Sequence, residues 1–289
     1  MSNNSNLNRA KKARNDEFYS MLSDIENELA HYREHFKDKV VYCNCDDPTQ
    51  SNFVKYFQIN FDKLSLKRLI ATGYRKNCRG VKLVYDSNHK DANVELLEWD
   101  GDFRSEECVE LLKQADIVVS NPPFSLASLY MQQLIAHGKK FLIIGPLNLI
   151  KYKDTFPYFM KGQARPGVNW VKSFTEPDGN VMKMGNVVWY TNLDHKKRHE
   201  KIVCIEKYDQ AKYPKFDNYD AIEVGKYTDI PKDYAGVMGV PISYLMHHNP
   251  EQFEIVGELN HGSDNEFDYA KPMIEGKVKY MRILIKRRA

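Results

Sequence analysis

The chain has 289 residues, of which 42% are hydrophobic, 12% aromatic and 28% charged. That balance suits one large globular domain, or one domain plus a smaller one, and excludes collagen, coiled coil and wholesale disorder. Lysine and arginine number 42 against 39 acids, a net charge of +3, so a basic face for nucleic acid must come from distribution along the chain and not from the total.

No window approaches the roughly 18 consecutive apolar residues that a membrane span needs. The longest apolar stretch, around Phe141 to Ile150, is interrupted by Gly145, Pro146 and Asn148. The opening MSNNSNLNRAKKARN has no apolar core and predicts no secretory signal. The five cysteines (Cys43, Cys45, Cys78, Cys108 and Cys204) are odd in number and sparse, which predicts free thiols in a reducing cytoplasm. Cys43-x-Cys45 looks like half a metal site, but no second pair follows at zinc spacing. It reads as part of a buried strand, and no metal is expected.

In chain order, residues 1–15 are polar and carry Arg9, Lys11, Lys12 and Arg14, a flexible basic arm. It is either a solvated tail or a segment that meets phosphates. Met21, Ile25 and Leu29 recur at helical spacing and predict a helix from Glu17 to about Phe36. Val40 to Cys43 is a strand, stopped by Asn44, Cys45, Asp46, Asp47 and Pro48. Ser51 caps a helix through Phe53, Val54, Phe57 and Phe61. Leu69 to Thr72, Val81 to Tyr85 and Val94 to Trp99 follow as strands. Ser105 caps a helix that runs to about Gln114, with Glu106 and Glu107 in its favourable first turn.

Asp116 to Val119 is the next strand and runs directly into Asn121-Pro122-Pro123-Phe124. A helix from Ser125 to His137 and a strand at Phe141 to Ile144 come next. Strands alternating with helices predict an α/β fold with a mostly parallel sheet. Beyond Lys151, prolines and short strand-like pieces dominate. Val187 to Thr191, Ile202 to Ile205 and Tyr280 to Ile285 read as strands. The expected division is an arm (1–15), a catalytic domain (16–194) and a smaller irregular β-rich module (195–289).

The chemistry is carried by Asn121-Pro122-Pro123-Phe124 at the carboxyl end of a parallel strand, where open α/β sheets place ligands. Consecutive prolines make a rigid turn whose carbonyls are left to accept hydrogen bonds. The Asn121 side-chain oxygen and the Pro122 carbonyl can take both hydrogens of a planar amino group. That localises the nitrogen lone pair for in-line attack on an activated methyl. Phe124 supplies a stacking surface for an aromatic base. Such catalysis is positioning and preorganised polarity. Asp46 and Asp47 end the first strand, where a nucleoside cofactor meets such sheets, and Asp102 follows another strand.

These residues resemble a known family. DEFYS, then CNCDDP, then DGDF, then VVSNPPF is the order of an S-adenosylmethionine-dependent DNA adenine-N6 methyltransferase of the gamma arrangement. Longer stretches, among them VVYCNCDDPTQSNFVKYF, ADIVVSNPPFS, GNVVWYTNLDHKKRHE and YMRILIKRR, resemble the EcoRI-type adenine-specific methyltransferases over residues 16–288. The resemblance implies a Rossmann-like methyltransferase sheet with helices on both faces and a C-terminal target-recognition module. It implies methyl transfer to an adenine flipped out of duplex DNA, with S-adenosylhomocysteine as product. Asn121, Pro122, Pro123 and Phe124 carry the base-holding roles. Asp16, Phe18 and Tyr19 would line the methionine end of the cofactor and Asp102 its adenine, with Asn44, Cys45, Asp46, Asp47 and Asn121 also on the cofactor.

The usual F-x-G-x-G loop is absent, and Asp46, Asp47 or Asp86 is left to hold the ribose. The bases Lys11, Lys12, Arg14, Lys196, Lys197, Arg198, Lys286, Arg287 and Arg288 are the expected DNA contacts of a monomer without a membrane. The alternatives are methylation of RNA adenine or protein glutamine, and a catalytically silent DNA-binding relative.

Overall fold

A computed structural model of the protein describes residues 19–88, 93–175, 180–262 and 265–288. The chain forms two compact units. The first holds the described residues up to Leu149 together with Pro166–Leu193; the second holds Ile150–Arg165 and the described residues from Asp194 onward. The segment 150–165, which the sequence groups with the catalytic part, thus folds into the second unit.

The first unit is built on β1 (Tyr19–Ser20), α1 (Leu22–Leu29), β2 (Val40–Asn44), α2 (Asn52–Ile59), β3 (Arg68–Gly73), β4 (Val81–Asp86), β5 (Glu95–Leu96), α3 (Glu106–Gln114), β6 (Ile117–Ser120), α4 (Ala127–Ala136) and β7 (Lys140–Pro146). After α5 (Phe156–Met160), the long strands β8 (Arg165–Thr175) and β9 (Val181–Thr191) complete it. The strand order is β1-β8-β9-β7-β6-β2-β3-β4-β5. The centre is parallel: β3 with β2, β2 with β6 and β6 with β7. Antiparallel pairings flank it, β4 on β3 and β9 on β7.

Side-chain alternation assigns the faces. Val41, Cys43, Leu69, Ala71, Ile117 and Val119 join Ile25 and Leu29 of α1 and Phe53, Val54 and Phe57 of α2 in one buried cluster. The residues between them, among them Tyr42, Thr72 and Ser120, point the other way. There the Cys108 thiol of α3 meets the Tyr42 hydroxyl. The result is an α/β, Rossmann-like sheet with helices on both faces.

The second unit carries β10 (Ile222–Glu223), β11 (Met238–Val240), β12 (Phe253–Leu259), β13 (Met273–Ile274), β14 (Lys277–Val278) and β15 (Arg282–Arg287). Four of these form a sheet in the order β10-β11-β15-β12. Phe216, Ala221, Leu259, Ile274 and Leu284 pack as its core.

Three expectations change. The helix predicted from Glu17 is shorter: Tyr19 and Ser20 pair with Thr175 and Phe174 as an edge strand before α1 begins. Ile202 to Ile205 is not a strand. Its backbone is held by a side chain, since the Gln252 amide accepts from Ile202 N–H and donates to Ile202 C=O at 2.6 and 3.1 Å. Strand β8, eleven residues long, was not predicted. No helix among the described residues is long and apolar enough to cross a membrane.

Candidate active site

The carboxyl ends of β2, β3 and β6 lie side by side because these strands run parallel. The loops that leave them, with the turn at 100–104, enclose a cavity of about 680 Å³. That volume falls within the range of small-molecule sites.

The loop after β2 contains no glycine, yet one of its residues takes a conformation that favours glycine. Cys45 has φ 136°. This turn lets the N–H groups of both Cys45 and Asp46 donate to the Thr72 carbonyl, at 3.3 and 2.9 Å. The close approach that loop glycines would allow comes from neighbouring loops instead. A Cβ on Gly73 would lie 2.6 Å from the Asp47 Cα, and a Cβ on Gly101 would lie 2.5 Å from the Gly73 carbonyl oxygen. Gly101 also has φ +83°. Sequence reasoning passed over both glycines; the signal was Gly73 closing a strand and Gly101 standing between Asp100 and Asp102.

Asp46 is 6% exposed. Its carboxylate accepts from Ser51 Oγ at 2.8 Å, from Ser120 Oγ at 2.7 Å and from the Asn121 backbone N–H. Burial nevertheless outweighs these bonds and pushes its pKa up to about 6. Asp47 faces the cavity and is less buried. It accepts from the Thr49 N–H and hydroxyl, and its other oxygen lies 3.4 Å from Arg75. Across the cavity, Arg104 donates to Asp102 at 2.8 Å, and this bond holds the Asp102 carboxyl below the usual carboxylate range.

Ser20 was also missed. Its hydroxyl is buried, lines the cavity and finds no hydrogen-bond partner among the described residues, while its carbonyl is held by the Asn52 amide at 2.9 Å. A buried hydroxyl left unpaired is a group that a ligand would satisfy.

Asn121 and Pro123 line the same cavity, on the side opened by β6. Pro122 is buried beside them. Phe124 is only 8% exposed and packs edge to face on Phe174, with centroids 5.9 Å apart at 82°. Most of the ring is covered by the core cluster of the sheet.

Over residues 6–288 the chain matches the family described as adenine-specific methyltransferase EcoRI. The chain belongs to that family. It is 46% identical to the type II methyltransferase M.EcoRI of Escherichia coli, over 98% of this chain and 96% of that relative. It is 36% identical to the type II methyltransferases M.MgeORF184P of Mycoplasma genitalium (97% of this chain and 98% of that relative) and M.MpnI of Mycoplasma pneumoniae (98% of each). No solved structure matches it.

Within this member of the EcoRI methyltransferase family, the cavity gathers Cys45, Asp46, Asp47, Asp102 and Asn121. It leaves out Asn44, which is fully buried and accepts from the Thr72 hydroxyl at 3.2 Å as part of the strand bracing. Asp86 lies at the far end of β4, beside Arg68 at 3.9 Å, and does not reach the cavity. Tyr19 enters β1 opposite Thr175. Asp16, Phe18, Lys11, Lys12 and Arg14 lie outside the described residues.

The remaining basic candidates belong to the second unit. Lys196 and Lys286 are exposed, and Lys197 is half-buried. Arg198 is within 3.5 Å of Asp194. Arg287 and Arg288 are partly spent inside the unit, donating to the Pro231 and Pro250 carbonyls at 3.0 and 2.7 Å.

Proposed function

We propose that this chain methylates adenine N6 at a specific site in double-stranded DNA, using S-adenosylmethionine, on a base flipped out of the duplex. The carrying observation is that Asn121 and Pro123 line the same cavity as Asp47, Asp102 and the unpaired Ser20 hydroxyl. Cavity volume, an orphaned buried donor and acids on two sides are features that fit the cofactor. When bound, S-adenosylmethionine supplies a methyl group whose S–C bond breaks as the N6–C bond forms, leaving S-adenosylhomocysteine.

The chain's own residues then do the positioning. Asp47 is the acid for ribose hydroxyls, since it lines the cavity half-buried, whereas Asp46 is buried against two serines and Asp86 is remote. Asp102 meets the cofactor's adenine, and Ser20 its methionine end. The Asn121 side-chain oxygen and the Pro122 carbonyl accept the two N6 hydrogens, keep the lone pair on nitrogen and aim it; once the new bond has formed, the methylated nitrogen releases one N6 proton to water. An adenine inside the duplex cannot present that amino group, hence the flipping. The second unit reads the DNA. The protein serves as the modification enzyme of a restriction–modification system, or as a solitary or phage methyltransferase, in the cytoplasm.

The test is transfer of labelled methyl from S-adenosylmethionine to duplex DNA, with acid hydrolysis yielding N6-methyladenine. Asn121→Ala is expected to lose transfer by at least roughly 100-fold while still binding the cofactor in titration calorimetry. Labelling of RNA but not DNA overturns the reading, and full activity of Asn121→Ala removes that residue from the mechanism.

A further inference from the structure

The acid that follows Cys45 has a place in the structure that neither the motif order nor the relatives' names explain. Asp46 lines the cavity, yet its carboxylate oxygens are taken up by groups of the protein. One accepts from Ser51, the N-cap of α2, and the other from Ser120, the last residue of β6. The Asn121 N–H adds a third bond. The loop after β2 and the end of β6, 74 residues apart in sequence, therefore meet on one side chain. Hydrogen bonds to a buried carboxylate are stronger than those between neutral partners, and truncating their acceptor leaves the donors unsatisfied. The strained turn at Cys45 directs this carboxylate inward, and Gly73 allows the neighbouring backbone to close behind it.

We propose that Asp46 is a positioning residue for methyl transfer, fixing the backbone of Asn121 and thereby the two acceptors that hold the adenine amino group. The proposal rests on the methyltransferase reading above. Asp46 acts through Ser120 and Asn121 and does not need to touch the substrate. It replaces part of what a glycine-rich loop would do by packing: it locks the loop after β2 to the catalytic loop after β6. A shift of the order of 1 Å in such acceptors is enough to slow transfer about 100-fold.

The experiment compares wild type with Asp46→Asn, Ser120→Ala and the double variant. Asn keeps the size of the side chain but offers one acceptor oxygen where the carboxylate offers two. The single-turnover transfer rate is expected to fall at least roughly 10-fold in Asp46→Asn, with cofactor affinity changed by less than about threefold. The double variant should lose little more than the worse single variant, because both break one network. A loss of cofactor affinity equal to the loss of rate overturns the proposal and makes Asp46 a cofactor ligand; an unchanged rate also overturns it.

An activity-independent readout separates this from failure of the functional reading. Hydrogen exchange at the Asn121 amide should quicken roughly 10-fold in Asp46→Asn while the centre of the sheet stays protected. If wild type methylates no DNA, the functional reading fails, and exchange still decides the role of Asp46: unchanged protection at Asn121 overturns it.

Discussion

A buried acid has a cost that depends on pH, and Asp46, buried at the edge of the cavity, carries such a cost. Burial pushes its pKa up to about 6, from the ordinary aspartate value of 3.8. Between those values the folded state holds a proton that the unfolded chain has lost, so stability falls as pH rises through the window. The cost is absent below pH 3.8 and complete above about 6. It amounts to about 3 kcal/mol at roughly 1.4 kcal/mol per pKa unit. The Cys43 and Cys45 thiols and the Tyr130 phenol around Asp46 are all pushed up by burial and stay neutral there. Urea unfolding of wild type and Asp46→Asn is therefore expected to show wild type gaining stability on the variant as pH falls from 7 to about 4.5. A constant difference would contradict a buried, ionised Asp46. Cys45 is strained for a separate reason, its φ of 136°. Relief of about 1–3 kcal/mol of strain exceeds the 0.5–1 kcal/mol entropic cost of glycine, so Cys45→Gly should stabilise by roughly 1 kcal/mol. An unchanged urea midpoint would show the turn to be unstrained.

At the level of elements, α1 is fastened to β8 through one acid. Glu28 is fully buried, and its carboxylate accepts from the Tyr32 hydroxyl at 3.0 Å and from the Val168 and Asn169 N–H groups, each at 2.8 Å. Gly167 makes room for it, since a Cβ there would lie 2.2 Å from Glu28 Oε1. Glu28→Ala leaves two strand N–H groups unpaired and is expected to destabilise by about 3 kcal/mol in urea unfolding. A loss below about 1 kcal/mol would mean that water replaces the carboxylate. This joint also marks where the sequence stops being legible. The apolar stripe of α1 shows in Met21, Ile25 and Leu29, but Glu28 looks like any surface acid, because its partners lie 140 residues away. Strand β8 is hidden for the same reason: Pro166, Gly167 and Lys172 break the alternation that would announce it. Asn121 to Phe124 could be read because its chemistry is contiguous. Ser20 could not, and Gly73 and Gly101 showed only as a strand end and a turn, since the fold alone sets Ser20 in the cavity and the two glycines against Asp47 and each other.

For the whole molecule, the net charge of +3 conceals how basic side chains are used. Arg287 lies 4.8 Å over the Phe253 ring and donates to Pro231, so its charge is tied into the second unit. Lys196 and Lys286 are exposed and face water. A lysine that neutralises a DNA phosphate releases a counterion, and each such contact steepens the salt dependence of binding by about 0.9 in log–log slope. If the second unit binds DNA through these lysines, Lys196→Ala and Lys286→Ala should each lower that slope by about 0.9 and weaken all duplex sequences alike. Arg287→Ala should behave differently, lowering the thermal midpoint because it removes a stacked guanidinium and a buried donor. Anisotropy titrations of labelled duplex between 50 and 200 mM salt, beside thermal melts of the same variants, separate the two classes. Slopes unchanged by both lysine variants would move the phosphate contacts elsewhere, and a slope change in Arg287→Ala without a lower melting point would return that arginine to the DNA.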